Sequence, residues 1–430
     1  MSNEGKIEKV AVLGMGYVGV PLAIEFLKGG LQVWGIDKDP EKISILNSGG
    51  SYLDDISDTD VRNALATNRF YLTDEYGVLS RVDAVCICVP TPLTKLQEPD
   101  LSYVIEAVDN IVPYLHKGML VVLESTTYPG TTEEVVLPRL SRTGMVVGQD
   151  FHLAFSPERY DPGNKKFGIR NTPKVVGGVT SQCTTRAIEL YKYAVDTVVP
   201  VSNARTAEMV KLLENTFRAV NIALVNEMTM ICERLNIDIW EVIESAKTKP
   251  FGFMPFYPGP GLGGHCIPVD PVYLSWKMKT LNYEARFIEL ARSINSSMPR
   301  YIVEKVGDIL NSVGKTIRGS NILILGVTYK RDVSDIRESP AIDVISMLTN
   351  KGAEVSYSDP HIHRLKVNDS ILDSFPIQER GLGNFDLIII VTDHSSFDIE
   401  WIVKEGALIF DTRNATKDIY EKYRNKIIKL

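Results

Sequence analysis

The residues best equipped for chemistry stand in one stretch, Pro258 to Pro271, which reads P-G-P-G-L-G-G-H-C-I-P-V-D-P. Cys266 and Asp270 are four apart in it, with Pro268 and Pro271 expected to stiffen the loop that carries them. Gly259, Gly261, Gly263 and Gly264 precede the cysteine. Such a cluster suits a chain that turns sharply or lets another group come close. A thiol held by a stiff loop beside a carboxylate fits covalent catalysis, in which a thiolate attacks an electrophile. A lone cysteine is more often a small buried hydrophobe, so this reading depends on the rest of the chain.

A second constellation opens the sequence. Lys9 to Leu13 reads as an apolar strand, and Gly14-Met15-Gly16-Tyr17-Val18-Gly19 follows. A helical pattern then runs through Leu27, and a second strand from Gln32 to Ile36 ends at Asp37. Strand, G-x-G-x-x-G, helix, strand and acid form the dinucleotide-binding pattern in its full context. Gly14 permits the tight turn, Gly16 admits a pyrophosphate, and Gly19 lets the helix pack on the sheet. The helix start presents unpaired N–H groups to the phosphates. Asp37 can accept hydrogen bonds from ribose hydroxyls and would repel a 2′-phosphate, which favours NAD over NADP, although Lys38 beside it weakens that inference.

Further strands end in polar residues. Asp83 to Val89 leads to Pro90 and Thr91, Met119 to Leu123 leads to Ser125 and Thr126, and Phe151 to Phe155 leads to Glu158 and Arg159. Ligands of open parallel sheets sit at such strand ends, so these hydroxyls are expected to line a cofactor cleft, with Glu158 a second candidate catalytic carboxylate. Any single threonine there could equally cap a turn.

The elements that must position these residues divide the chain. Ala204 to Leu235 reads as one uninterrupted helix, with apolar residues at i, i+3 and i+4. Lys211 and Asn215 share one face of it, where the ordinary reading is solvated surface. Its length also suits a dimerisation spine. More helix is expected at Ile239–Ala246, Glu284–Ser296 and Arg300–Val313. The last third then repeats the first: Gly326 matches Gly14, Asp359 matches Asp37, and Asp386 matches Asp83. In this copy Thr328-Tyr329-Lys330-Arg331 replaces the glycines, so it should not hold a dinucleotide in the usual way. Lys330, Arg331, Arg337 and Arg413 suit a phosphate or pyrophosphate of another ligand. Arg337 is also placed among the cofactor contacts. His361 and His363, with no cysteine or acid cluster near them in sequence, read as surface residues.

The resulting expectation is an α/β protein: two Rossmann-like doubly wound domains joined by a long central helix and helical spine. Its parts are a dinucleotide-binding domain at 1–202, a central helical dimerisation domain with the cysteine loop at 203–314, and a C-terminal Rossmann-like domain for another phosphate-bearing ligand at 315–430. Composition agrees, since 430 residues with 44% hydrophobic and 23% charged content suit a multi-domain globular protein. The net charge of −7 and the lack of a basic block argue against nucleic acid. No apolar run reaches the ~18–20 residues that span a bilayer, and the polar start reads as lacking a signal peptide. Five scattered cysteines suit free thiols in a reducing cytoplasm. Cys86 and Cys88, inside V-C-I-C-V, read as core residues rather than a metal site, and no metal is expected.

Taken in order, the G-x-G-x-x-G unit, E-M-V-K-L-L-E-N on the long helix, G-G-H-C-I-P-V-D-P and the degenerate second unit resemble the UDP-glucose/GDP-mannose dehydrogenase family over essentially the whole chain. The resemblance implies oxidation of C6 of a nucleotide-activated sugar from alcohol to carboxylate, with two NAD and no metal. Cys266 would then hold the sugar as a thiohemiacetal and next a thioester. Lys211 and Asn215 would stabilise oxyanions and position water, Asp270 would support proton transfer, and Thr126 and Glu158 would complete the site. Glu158, Arg159, Lys211, Asn215, Gly259, Gly261, Gly263, Lys330 and Arg413 would bind the sugar nucleotide. A homodimer through the central helix and a role in surface polysaccharide or lipopolysaccharide precursor synthesis are also implied.

Two departures narrow the branch. Many glucose and mannose members carry a second glutamate shortly after the one matching Glu158, whereas here S-P-E-R-Y-D-P-G puts Pro162 there. The loop reads G-G-H-C rather than G-G-S-C. Both features resemble the branch acting on UDP-N-acetylhexosamines. UDP-N-acetylglucosamine is the expected substrate, with the N-acetylmannosamine epimer or UDP-glucose as alternatives. In a different class stand a single-hydride hydroxyacid-type dehydrogenase with an inert Cys266 and a non-enzymatic NAD sensor. Two, one or no NADH per substrate separates these three.

Overall fold

The computed structural model describes residues 5–94, 96–161, 163–164, 166–264 and 266–430. It divides into two compact units. One comprises the residues up to Glu214 together with Val272–Glu284, and the other comprises Asn215–Pro271 and Ala285–Leu430.

Among the described residues, the first unit is built on β1 (Lys9–Leu13), β2 (Gln32–Ile36), β3 (Phe70–Thr73), β4 (Ala84–Ile87), β5 (Leu120–Leu123), β6 (His152–Phe155), β7 (Lys174–Gly178) and β8 (Val198–Pro200). They form one sheet in the order β3-β2-β1-β4-β5-β6-β7-β8. Both faces are covered, which explains the near-continuous apolar runs. Val10, Val12, Ala84 and Cys86 face one core and Ala11, Leu13, Val85 and Ile87 the other, the alternation that a strand requires. Cys86 thus sits in the core and Cys88 is half-buried at the strand end. Strands β1 to β6 are parallel, and the order reverses between β1 and β4. Gly14, Thr91, Ser125 and Glu158 therefore leave the sheet at one edge.

Strand β7 departs from simple winding by pairing antiparallel to β6, with Phe155 opposite Gly177. Extending that register sets Lys174, the first residue of β7, opposite Glu158. Had β7 run parallel, the lysine would emerge at the other edge of the sheet.

The second unit carries β9 (Asn321–Leu325), β10 (Glu354–Ser358), β13 (Leu387–Ile390), β14 (Ile409–Asp411) and β15 (Ile427–Lys429) in a parallel sheet ordered β10-β9-β13-β14-β15. A short antiparallel pair, β11 (Arg364–Val367) and β12 (Ser370–Asp373), is inserted between β10 and β13. The long helix spans Ala204–Arg234 and is followed by Ile239–Ala246.

Two local expectations need correction. Instead of two helices around Pro299, one helix runs from Arg286 to Ser312. Proline removes the bond to the carbonyl four residues earlier, that of Asn295. The Asn295 side chain is pinned by Asn226 Nδ2–H, at 2.9 Å, and by its own donation to the Ala219 carbonyl at 3.0 Å. Tertiary bonds thus hold the helix together across the break. In the cysteine stretch, Pro268 lies in a turn, and Pro271 proves to be helical rather than part of a loop. The Asp270 N–H donates to the Cys266 carbonyl at 2.8 Å, and a helix spans Asp270–Thr280. Pro271 lies in its first turn, where a missing N–H costs nothing.

Candidate active site

In the first unit, Gly14 has φ +94°, and a Cβ there would lie 2.6 Å from the Cys88 carbonyl oxygen. A Cβ on Gly19 would lie 1.9 Å from the Gly14 oxygen, whereas one on Gly16 would meet nothing within 4 Å. The turn is therefore closed on its inner side and open at Gly16. Tyr17 and Val18 beside it are half-buried. The helix Gly19–Lys28 starts with no side-chain cap, which leaves its first N–H groups for a ligand. An open glycine and an uncapped helix end fit the pyrophosphate of a dinucleotide. Asp37 is buried and accepts from Met15 N–H at 2.7 Å and Asp39 N–H at 3.0 Å, with Lys42 3.5 Å away. Pro90 is exposed and Thr91 buried. The Ser125 hydroxyl donates to the Val89 carbonyl at 2.7 Å, so it ties strand ends together, while Thr126 is half-buried.

Glu158 closes the same edge. Its Oε1 accepts from Arg159 N–H at 2.7 Å and Tyr160 N–H at 2.6 Å. Its Oε2 accepts from Lys174 Nζ at 2.9 Å. Lys174 also donates to Glu124 at 2.6 Å, and Glu124 accepts in turn from the Tyr191 hydroxyl. Burial alone would raise the Glu158 carboxyl. The Lys174 ammonium, the Tyr160 N–H and the charge of Lys211 hold it below the ordinary glutamate value. Burial wins at the deeper Glu124, whose carboxyl is raised despite Lys174. Arg159 is committed to Glu214 at 2.7 Å and to the Pro173 carbonyl at 2.7 Å. Lys211 is buried, not the solvated surface residue that its helix position suggested.

The second unit holds the cysteine. Cys266 is exposed, one helical turn before the buried Asp270. Asn215, also buried, donates through Nδ2 to Asp270 Oδ2 at 2.5 Å. The glycines ahead of the cysteine answer to close neighbours. A Cβ on Gly259 would lie 2.4 Å from Arg413 Nη1, and those on Gly263 and Gly264 would lie 2.6 Å and 2.8 Å from the Tyr329 side chain. Gly261 has φ +141° and approaches the Asn295 carbonyl freed by Pro299. Gly264 N–H donates to the Arg337 carbonyl at 2.9 Å. The stretch is thus bound to the turns of the second sheet, and Arg413 is fixed against it by donating to the Val391 carbonyl at 2.8 Å.

The basic turn of that sheet is half-buried at Lys330. Arg337 is exposed and its guanidinium clasps Asp335, with Nη2 2.6 Å from Oδ2. His361 is exposed as expected, but its surroundings are not empty. Among the described residues, Asp332, His361 and His394 bring ligand-type atoms within 4.8 Å of one another. They come from loops far apart in sequence, which is why no spacing reveals them. Both ring nitrogens of His394 are already engaged: Nδ1 with Asp332 N–H at 3.0 Å, Nε2 with Asp359 at 3.1 Å. The cluster does not suit an ion.

Known proteins match this arrangement along the chain. Residues 8–195 match the NAD binding domain of the UDP-glucose/GDP-mannose dehydrogenase family, 205–297 its central domain, and 323–418 its UDP binding domain. The chain belongs to this family. It is an NAD-dependent enzyme of the nucleotide-sugar dehydrogenase type, with an NAD binding domain at one end and a UDP binding domain at the other. The UDP-N-acetyl-D-glucosamine 6-dehydrogenase of Salmonella typhi is 36% identical over 413 residues, covering 94% of this chain and 96% of that one. The UDP-N-acetyl-D-mannosamine dehydrogenase of Escherichia coli K12 is 34% identical over 403 residues, covering 91% and 94%. The solved UDP-D-ManNAc dehydrogenase of Pyrococcus horikoshii has a TM-score of 0.86 at 35% identity, covering 95% of this chain and 96% of that one. No helix among the described residues is long and apolar enough to cross a membrane.

Several residues at these sites escaped the sequence reading. Glu124 follows a strand end, and the parallel pairing of β5 with β6 brings it toward Glu158, whereas Lys174 carries no motif and reaches Glu158 only because β7 runs antiparallel to β6. Pro162 and His265, which carried the two departures within the family, lie outside the described residues.

Proposed function

We propose that this enzyme oxidises C6 of a UDP-N-acetylhexosamine to the carboxylate, with UDP-N-acetylglucosamine as substrate and two NAD reduced per sugar. The observation that carries the covalent part is the placement of Cys266, exposed and one turn ahead of the buried Asp270–Asn215 pair. NAD held at the Gly14–Gly19 turn would supply the hydride acceptor for both oxidations at C6. Between them, the Cys266 thiolate adds to the aldehyde carbon and gives a thiohemiacetal, so the aldehyde is never released to water. Loss of the second hydride leaves a thioester. Water adds to its carbonyl, the C–S bond breaks, and carboxylate and thiolate result, a step that makes the sequence effectively irreversible.

Lys211 and Asn215 stabilise the negative charge that develops on the C6 oxygen, the kind of preorganised electrostatics that contributes most to catalysis. Asp270, held by Asn215, takes up the protons that leave, and Glu158 and Thr126 orient substrate and water. Lys330, Arg413 and the glycine stretch hold the UDP-sugar, and Asp37, Thr91, Ser125 and Arg337 serve the cofactor. These roles follow the division into residues 1–202, 203–314 and 315–430. Phe217, Leu224 and Ile231 are exposed large apolar residues spaced along the long helix, which supports a homodimer through it. The product is a uronic acid building block for surface polysaccharide.

A second reading, the N-acetylmannosamine epimer as substrate, is favoured by the mannosamine dehydrogenases among the similar proteins. A panel of UDP-N-acetylglucosamine, UDP-N-acetylmannosamine and UDP-glucose, scored by kcat/KM and by NADH formed per sugar, tests both readings. The proposal requires the acetamido sugars to exceed UDP-glucose by roughly 5- to 150-fold, the worth of one unpaired buried amide partner. Equal turnover of UDP-glucose contradicts it, and preference for the mannosamine epimer selects the second reading.

A further inference from the structure

Glu158 is the carboxylate that the mechanism uses, and three donors set it. A carboxylate has about four acceptor positions. Two are filled by the backbone N–H groups of Arg159 and Tyr160 on Oε1, and one by Lys174 on Oε2. Among the described residues no further hydrogen-bond donor reaches Glu158, so the remaining position, on Oε2, is open to substrate or water. The orientation of that lone pair is set by where Lys174 stands.

Lys174 in turn has little freedom. Its side chain is 3% exposed and sits between Glu158, 10% exposed, and Glu124, fully buried. Tyr191 donates to Glu124 and turns its ring toward the ammonium, 5.3 Å from the ring centre. An unpaired ammonium at such depth would be costly, whereas one gripped by two carboxylates stays charged. The charges near Glu158 come from separate elements: Lys174 from β7, Glu124 from the end of β5, Lys211 from the long helix, with Cys88 at the end of β4 and Tyr160 beside it. Two ammonium groups thus stand near two carboxylates, all four largely buried. Lys174 is shared, and Glu124 competes for it.

We propose that Lys174, braced by Glu124 and Tyr191, is a positioning residue that keeps Glu158 ionised and fixes the one acceptor site it offers. The inference rests on the assignment of Glu158 to the reaction. It also accounts for the reversal of β7, because only an antiparallel β7 delivers a lysine to this edge. Lys174 and Glu124 touch neither substrate nor cofactor in this account.

The direct test is titration of the Glu158 carboxyl in the whole enzyme by carbon NMR of labelled glutamate side chains, the resonance assigned by its loss in Glu158→Gln. Lys174→Gln should raise the midpoint by about 1–3 units, the usual effect of losing a neighbouring opposite charge. Glu124→Gln, which keeps an acceptor for Tyr191 but deletes the competing charge, should lower it, and Lys174→Arg should restore it nearly to wild type. In steady state, Lys174→Gln should lower kcat and shift its acid limb upward while the KM for NAD stays in place. An unmoved midpoint in Lys174→Gln overturns the inference. Should that variant not fold, Glu124→Gln decides alone, and a midpoint that stays or rises overturns it. Near-wild-type turnover by Glu158→Gln instead overturns the assignment of Glu158 to the reaction, and the inference with it.

Discussion

The two sheets contain the same strand–turn–helix–strand–acid unit, and its backbone is held by the same bonds. Gly14 N–H donates to the Ile36 carbonyl and Gly326 N–H to the Ser358 carbonyl, at 2.7 Å and 2.9 Å. Met15 N–H reaches Asp37 and Val327 N–H reaches Asp359, both at 2.7 Å. Two residues past each acid, Asp39 N–H and His361 N–H return to it, at 3.0 Å and 2.8 Å. Asp83 and Asp386 each accept an N–H at the start of the first strand. The side chains on this frame differ. Gly16 and Gly19 become Thr328 and Arg331, and the registers of β1 with β4 and of β9 with β13 set His394 where the first copy has Thr91. The His394 imidazole then bonds Asp359, and its other nitrogen takes the Asp332 N–H. The acid proposed to face the cofactor in the first copy has a counterpart that is sealed by an internal histidine in the second. Binding capacity therefore lies in a few side chains and not in the shared fold.

Gly19→Ala should break the first copy most severely. With a Cβ 1.9 Å from the Gly14 oxygen, the turn cannot keep its shape. The cost should exceed the ~1–3 kcal/mol of ordinary overpacking, and NAD affinity should fall by more than about 100-fold. Arg331→Ala, at the matching place in the second copy, should change stability by less than ~0.5 kcal/mol, as surface substitutions do. Thermal unfolding and NAD titration of both variants make the comparison, and similar losses would erase it.

Asp359→Ala comes next. It strands His394 and the N–H groups of Val327, His361 and Ile362, each costing about 1–3 kcal/mol if left unsatisfied. Denaturant unfolding should show a loss of at least ~3 kcal/mol with the KM for NAD unchanged. The pH dependence follows. Burial alone would raise the Asp359 carboxyl, but His394 and the backbone N–H groups hold it below the ordinary aspartate value. A depressed carboxyl stabilises fully above the unfolded-state value of about 3.9, and that contribution is lost as pH falls through the folded-state value. Acid unfolding of Asp359→Asn should lack this component. An unaltered acid limb would mean that the second acid does no more for the fold than its surface neighbours.

The smallest effect concerns Asp37. Asp37→Ala should weaken NAD by roughly 10- to 100-fold, the scale of a charged hydrogen bond, and narrow the preference over NADP by removing a like-charge clash. A wild-type preference for NADP would end this part of the comparison.

What could be read before folding was local. The turn glycines with their acid, the cysteine stretch and the repeat all announce themselves within some thirty residues, because strand, turn and helix are contiguous. Whatever depends on strand direction or distant loops was silent. Lys174 carries no signal until β7 is seen to run backward, and Lys211 reads as surface until its burial is known. Pro299 reads as a helix end because the bonds of Asn295 that carry the helix through it come from residues some seventy positions away. His394 has no motif of its own, and its meaning comes from the parallel pairing that returns it to Asp359.

The central claim is that one sugar gives up two hydrides, the second from a covalent adduct with Cys266. Its most direct test is a count of NADH and uronic acid formed from a limiting amount of UDP-N-acetylglucosamine by the wild type and by Cys266→Ala. The account predicts two NADH and one uronic acid per sugar for the wild type, and no uronic acid from a variant whose NAD affinity is intact. Uronic acid formed by Cys266→Ala at near wild-type rate, or one NADH per sugar from the wild type, would contradict it.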